Sequence, residues 1–133
     1  PERLNTANDA RAIRRAFVGM AVDKSRFPAE VLDRYALDAR RPGAMTGMVN
    51  WYRAAARHPG KLAGPWPRIE TPTLVIWGEE DAALGLELLD GTDRRVADLT
   101  IRRLPGVSHW VQQEAPEAVN AILAEWLAAP RPA

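Results

Sequence analysis

The stretch Thr71-Pro72-Thr73-Leu74-Val75-Ile76-Trp77-Gly78-Glu79-Glu80-Asp81 decides the fold of this chain. Its centre, from Thr73 to Trp77, is a continuous apolar and partly β-branched run, which is typical of a strand buried on both faces. Gly78 ends the run, and three carboxylates follow it. Strands of this kind belong to parallel sheets, so the stretch predicts an α/β fold.

The residues after this stretch predict a helix, a strand and a helix in order, so that the whole region reads as a βαβα unit. A helix from about Leu86 to Val96 and a strand from Leu99 to Leu104 would complete a right-handed crossover. A last helix is expected from about Ala115 to Leu127, with Pro116 in its first turn. Two parallel strands are too few for a stable open sheet, so the pattern predicts that a neighbouring strand comes from elsewhere.

The residues before this stretch predict three amphipathic helices and a linker. The helices are expected over about 8–20, over about 28–41, and along the apolar face of Met45, Met48, Val49 and Tyr52 up to His58. Proline and glycine between 61 and 72 favour an extended linker. The chain therefore divides into a helical region, 1–64, and a βαβα region, 65–133, with a frayed tail at 130–133.

Composition excludes several classes of function. With 18 basic and 17 acidic residues the net charge is +1, so no strong field attracts nucleic acid or an anionic membrane. The absence of cysteine excludes disulfides and thiolate metal sites, which favours a cytoplasmic protein without a cofactor. Neither a bilayer-spanning run nor a secretory leader is expected. The start at Pro1, without methionine, predicts a processed chain or a piece of a longer one.

The loops after the two predicted strands carry an acid and then a histidine. Asp81 follows the first strand and His109 the second, which is the acid-then-base order of a hydrolase triad. Asp81 is predicted to accept a ring N–H of His109, so that the other ring nitrogen takes a proton from water. Alone, either residue would favour a structural role, as a helix cap or a surface group. Glu79 and Glu80 are alternative candidates for the acid, but both are interpreted as loop residues with solvated charges.

Four segments resemble a known family. The segments 71–81, Gly106-Val107-Ser108-His109-Trp110 and 115–127 together resemble the C-terminal end of α/β-hydrolases. Asn50-Trp51-Tyr52-Arg53 resembles the lid segment of soluble epoxide hydrolases. The resemblance covers nearly the whole chain and is strongest from Thr71 onward. It implies the C-terminal portion of an α/β-hydrolase fold, with a helical lid segment over 1–64 and the C-terminal part of the core over 65–133.

The resemblance also implies an activity and roles for four residues. The enzyme would open a small apolar epoxide to a vicinal diol through an ester on an aspartate, without metal or cofactor. Tyr52 would activate the epoxide oxygen, His109 and Asp81 would activate water, and Trp110 would line the pocket. From pattern alone, Tyr52 is a core residue of its helical face, and the resemblance gives the catalytic role equal weight. Packing explains Trp110 equally well.

The chain lacks several parts of such an enzyme. It contains no His-Gly-x-Pro loop and no nucleophile elbow. The second lid tyrosine is also missing, because Tyr35 is the only other tyrosine and its sequence context does not match. The chain alone is therefore predicted to be inactive, with an N-terminal half of the same hydrolase as its partner, in a separate chain or a missing segment. The alternatives are a haloalkane or haloacid dehalogenase, an esterase, or a non-catalytic interaction fragment. Self-association as a homo-oligomer stays open.

Overall fold

The computed structural model describes residues 2–62 and 66–130, with the side chains of 10–60 and 66–130. The helices and strands of these residues are α1 (Glu2–Met20), α2 (Ala29–Ala39), α3 (Ala44–Arg57), α4 (Pro59–Leu62), β1 (Thr73–Gly78), β2 (Leu99–Leu104), α5 (Val111–Glu114) and α6 (Pro116–Ala128). They form two compact units. The helical unit comprises residues up to Gly19 and Phe27–Trp66, and the sheet unit comprises Met20–Arg26 and the residues from Pro67 onward.

Three aromatic rings pack together within the helical unit. The ring of Phe17 stacks on that of Tyr35 at 4.2 Å, and the buried Phe27 lies 6.1 Å from Phe17. Gly43 adopts a left-handed conformation, with φ of 80°, between α2 and α3. A side chain is strained in that region, so glycine allows the sharp break between the two helices. The three predicted helices are present, and α1 begins earlier than expected.

The apolar face of α3 is buried at only one end. Met45 is buried, Val49 is half-buried, and Met48 and Tyr52 are exposed. The interpretation of the whole face as core is therefore wrong for the described residues. Helical spacing shows which residues share a face, but it does not show what covers that face.

The two predicted strands pair in parallel within the sheet unit. Their register runs from Thr73 opposite Leu99 to Gly78 opposite Leu104. The expectation that β1 is buried on both faces is wrong, because its residues are half-buried except for Gly78. Among the described residues the sheet has only these two strands, which leaves much of β1 accessible.

The predicted helix between the strands is wrong. Two short 3-10 helices, Leu86–Leu89 and Thr92–Arg94, replace it. Asp90 is extended, and Gly91 is left-handed with φ of 74°, so α-helical hydrogen bonds cannot continue through this pair. The buried Leu89 and Val96 still fix this connection against the unit.

Parts of two predicted segments lie outside the described residues. These are the middle of the linker, 63–65, and the end of the tail, 131–133. The first residues of the predicted linker are helical, because α4 extends to Leu62. In the part of the chain that the structure describes, no helix combines the length and the apolar character that a bilayer span requires.

Candidate functional site

The two strands end side by side and their loops are joined. Gly78 and Leu104 are opposite each other at the last position of the register. The N–H of Glu79 then donates to the carbonyl oxygen of Leu104, and the N–H of Glu80 donates to that of Val107, both at 3.0 Å. Groups carried by either loop are therefore brought to the carboxyl edge of the sheet, where α/β proteins place their sites.

Gly78 allows the two loops to approach each other closely. A Cβ atom at this position would come within 3.0 Å of the carbonyl oxygens of Val107 and Ser108. Both oxygens belong to the backbone, so the second loop would have to move to admit a side chain. The absence of a side chain at Gly78 is thus a condition for the geometry described next.

Asp81 and His109 are hydrogen-bonded across these loops. Nδ1 of His109 lies 2.8 Å from Oδ2 of Asp81, as the strand-end pattern predicts. The other carboxylate oxygen of Asp81, Oδ1, accepts the N–H groups of Ala83 at 2.8 Å and Leu84 at 2.9 Å. The Asp81 side chain is 7% exposed and that of His109 is 29% exposed. Asp81 therefore both caps the following turn and binds the imidazole.

The charge of Asp81 determines how His109 is protonated. Burial raises the pKa of Asp81, but the hydrogen bonds from His109 and from the N–H groups of Leu84 and Ala83 outweigh it and leave the pKa below its ordinary value. The carboxylate is then ionised at neutral pH and has no proton to give, so Nδ1 of a neutral His109 must donate. The lone pair is consequently on Nε2, which can act as a general base.

Trp110 lies directly beside the imidazole. Its ring is edge-on to that of His109, with 4.8 Å between the centroids and 78° between the planes. Trp110 is half-buried, so one part of it packs and another part is accessible. Its predicted contact with substrate stays a prediction.

Tyr52 belongs to the helical unit and is 72% exposed on α3. Such exposure contradicts the alternative in which it is a core residue of its helix. Within the same motif, the guanidinium of Arg53 donates to Oδ1 of Asn50 at 3.1 Å. The predicted catalytic role of Tyr52 stays a prediction.

Two buried polar residues beside the pair were not identified from the sequence. Ser108 is fully buried and Glu114 is 6% exposed. Oε2 of Glu114 accepts both the N–H of Ser108, at 3.0 Å, and its hydroxyl, and Oε1 accepts the N–H of Asp23 at 2.7 Å. No sequence pattern distinguishes Glu114 from a solvated glutamate. Among the described side chains, those of residues 10–60 and 66–130, no three of His, Asp or Glu are grouped as a metal site requires.

This geometry defines a class of protein. An acid and a histidine that meet beyond adjacent parallel strands are typical of hydrolases built on an α/β sheet. Comparison with known proteins agrees, because the sequence model described as "Alpha/beta hydrolase family" matches residues 2–122. The chain belongs to the alpha/beta hydrolase family.

Individual relatives are similar over nearly the whole chain. The chain is 35% identical to "AB hydrolase superfamily protein YfhM" of Bacillus subtilis, over 96% of this chain and 43% of that protein. It is 33% identical to "Epoxide hydrolase 4" of Mus musculus, over 92% of this chain and 35% of that protein. Its fold matches the crystal structure of a Bacillus megaterium epoxide hydrolase with a TM-score of 0.81, 22% identity, and coverage of 96% and 47% of the two chains.

These matches confirm the predicted fold class, the C-terminal portion of an α/β-hydrolase fold. The resemblance to epoxide hydrolases is likewise confirmed by curated relatives of that name. The chain spans less than half of the length of the curated relatives it matches.

Proposed function

We propose that this chain is the C-terminal part of a hydrolase that opens epoxides to vicinal diols. The observation that carries the proposal is the hydrogen bond of 2.8 Å between His109 and Asp81 beyond two adjacent parallel strands. Relatives at about one-third identity that are named epoxide hydrolases favour the epoxide over other substrates of the fold. In this proposal residues 1–64 form a lid segment and residues 65–133 form part of the core.

The first step of the proposed reaction forms an ester. A carboxylate oxygen of an aspartate from the N-terminal part attacks one epoxide carbon, and the bond from that carbon to the ring oxygen breaks. Tyr52 hydrogen-bonds the ring oxygen and gives it the phenolic proton, which leaves a hydroxy ester and a tyrosinate. The exposed phenol on α3 is free to meet a substrate, which supports this role.

The second step hydrolyses the ester. Nε2 of His109 takes a proton from water while the water oxygen attacks the ester carbonyl carbon, and Asp81 stabilises the resulting imidazolium. Collapse of the tetrahedral intermediate releases the diol and restores the nucleophilic carboxylate. The proton held by His109 then returns through solvent to the tyrosinate, so the net reaction adds one water to one epoxide.

The remaining parts of the site are assigned to a companion N-terminal part, in the same or a separate chain. It would supply the nucleophile, the donors that stabilise the oxyanion, a second tyrosine, and further strands. The half-buried strand β1 supports this, since an apolar parallel strand is normally covered by neighbours. The assembled enzyme is proposed to act in the cytoplasm without a cofactor.

The test uses the product of the complete reading frame that contains this chain, joined by the N-terminal part where that part is a separate chain, and this assembly is here called the complete protein. It is assayed with styrene-oxide-type epoxides, with an aryl ester and with a haloalkane. The proposal expects diol formation, and it expects His109→Gln to accumulate protein heavier by the mass of one epoxide, because ester formation does not need His109. His58→Gln, at the exposed end of α3, is the matched control and should turn over normally.

Each other result would replace the proposal. Turnover of the haloalkane or ester without the epoxide would identify a dehalogenase or an esterase. An absence of turnover and of any covalent adduct would favour the non-catalytic interaction fragment.

A further inference from the structure

We infer that Glu114 is a positioning residue for His109, because its buried carboxylate fixes the residue that precedes the histidine and so holds the imidazole against Asp81. The inference rests on the proposed function for its kinetic consequence. Its structural consequence, the orientation and protonation of His109, can be measured without any substrate.

The surroundings of Glu114 are unusual for a carboxylate. It is almost fully buried, and all three of its hydrogen-bond donors are uncharged groups of Ser108 and Asp23. In the described part of the chain no cation pairs with it. A buried charge is unfavourable unless hydrogen bonds replace its hydration, so this carboxylate requires all three donors in place. It therefore acts as a rigid anchor point.

Glu114 fixes Ser108, and Ser108 in turn contacts the residue that follows His109. The N–H and the hydroxyl of Ser108 are bound by one oxygen, which restricts the backbone and the side chain of that residue together. The Ser108 hydroxyl also lies 3.4 Å from the N–H of Trp110. On the opposite side, the carbonyl of Ser108 lies against Gly78. The direction in which the His109 side chain leaves the backbone is thus set from two sides.

A purely structural role would be to hold the segment Met20–Arg26 within the sheet unit, through the N–H of Asp23. That segment has two further attachments. Nε2 of Gln113 donates to the carbonyl oxygen of Arg26 at 2.9 Å, and Arg26 pairs with Glu117 at 3.2 Å. Among the described residues, Glu114 is the only acceptor for the N–H and the hydroxyl of Ser108. Loss of the carboxylate is therefore expected to affect Ser108 more than the segment.

Two variants of different severity test this inference. Glu114→Gln replaces one acceptor oxygen by an NH2 group, so it can satisfy at most two of the three donors and places a donor opposite the third. Ser108→Ala removes only the hydroxyl and leaves its N–H bound. Glu117→Gln is the matched control, because it removes the same charge from an exposed side chain of α6.

The first measurement is the NMR spectrum of the His109 imidazole in the complete protein. We expect a protected Nδ1 proton and unprotonated Nε2 in the unmodified protein and in Glu117→Gln. In Glu114→Gln the Nδ1 proton should exchange at least about tenfold faster, and the two tautomers should mix. If the Nδ1 proton of a folded Glu114→Gln protein exchanges at the same rate as in the unmodified protein, the inference is overturned.

The second measurement is steady-state turnover of the epoxide. Misplacement of a general base lowers kcat, and a shift of about 1 Å costs up to about 100-fold. We expect kcat to fall about 10- to 100-fold in Glu114→Gln and about 3- to 10-fold in Ser108→Ala, with KM within about twofold. If Glu114→Gln does not fold, the test rests on Ser108→Ala. A Ser108→Ala protein with the same Nδ1 proton exchange and the same kcat as the unmodified protein would overturn the inference. If the unmodified protein turns over no epoxide, the proposed function fails, while the NMR result still decides the role of Glu114.

Discussion

Nδ1 of His109 lies 2.8 Å from Oδ2 of Asp81, although the two residues are 28 positions apart in the chain. The parallel register of β1 and β2 produces this proximity, because both strands end at the same edge and each loop begins there. Asp81 uses its second oxygen to cap the turn of Ala83 and Leu84, so the side chain that binds the imidazole is itself fixed.

Asp81→Asn should lower kcat for epoxide hydrolysis in the complete protein by roughly 100- to 10,000-fold, since the analogous change in a hydrolase triad inverts the tautomer of the histidine. The amide can keep the turn through its oxygen, but it then presents N–H groups to Nδ1. Nδ1 would become an acceptor and Nε2 would carry the proton. Steady-state kinetics measure the loss. Glu80→Gln, an exposed neighbour, is the control, and an Asp81→Asn protein with normal kcat would contradict the assigned role.

The acid stability of the protein should depend on Asp81. Its native pKa is lowered, so the unfolded state binds more protons, and the ionised carboxylate stabilises the fold fully above the unfolded pKa of about 4. This stabilisation is lost as the pH falls through the lower native pKa. Urea unfolding at a series of pH values from about 6 to about 2 measures the free energy of unfolding. The difference in this free energy between the unmodified protein and Asp81→Asn should become smaller as the pH falls. A difference that grows below pH 4 would refute this.

Gly78→Ala should destabilise the protein by about 1–3 kcal/mol, because the new methyl group meets backbone oxygens that cannot rotate away. The displaced loop carries His109, so activity should fall as well. The midpoint of urea unfolding measures the loss of stability, and kcat measures the loss of activity. Gly47→Ala is the control, since a Cβ there meets nothing within 4 Å on a helix, and it should be neutral or stabilising by up to about 1 kcal/mol. Equal stability of the two variants would contradict the close approach of Gly78 to the carbonyl oxygens of Val107 and Ser108.

Tyr52→Phe should slow ester formation from the epoxide by roughly 100-fold or more, because the developing alkoxide loses its proton donor. Stability should hardly change, since the side chain is exposed. Rapid-quench measurement of the covalent adduct isolates this step. Tyr35→Phe removes the same hydroxyl from a half-buried tyrosine that stacks on Phe17, and it should leave the rate of ester formation unchanged. Equal rates in the two variants would remove Tyr52 from the mechanism.

Local sequence determined most of the secondary structure of this chain. The apolar run from Thr73 and the segment from Leu99 to Leu104 predicted both strands, and the segment from Ala115 with Pro116 in its first turn predicted α6. The crossover helix was wrong because Asp90 and Gly91 interrupt an otherwise suitable pattern, and their conformations override its apolar spacing. The pairing of Asp81 with His109 followed from the sequence only because parallel strands obey a topological rule that places their carboxyl ends together.

Burial and long-range contacts were decided by the tertiary structure alone. The sequence could not show that Met48 and Tyr52 are exposed while Met45 on the same face is buried, because exposure depends on what packs against the helix. It could not show that Glu114 binds Ser108, six residues away, and Asp23, 91 residues away, because nothing local marks a glutamate as buried. The sequence by itself predicted the pairing of an acid with a histidine and the edge of the sheet at which the two stand. Only the folded chain decided what holds them there, because the anchoring hydrogen bonds form between segments that packing brings together.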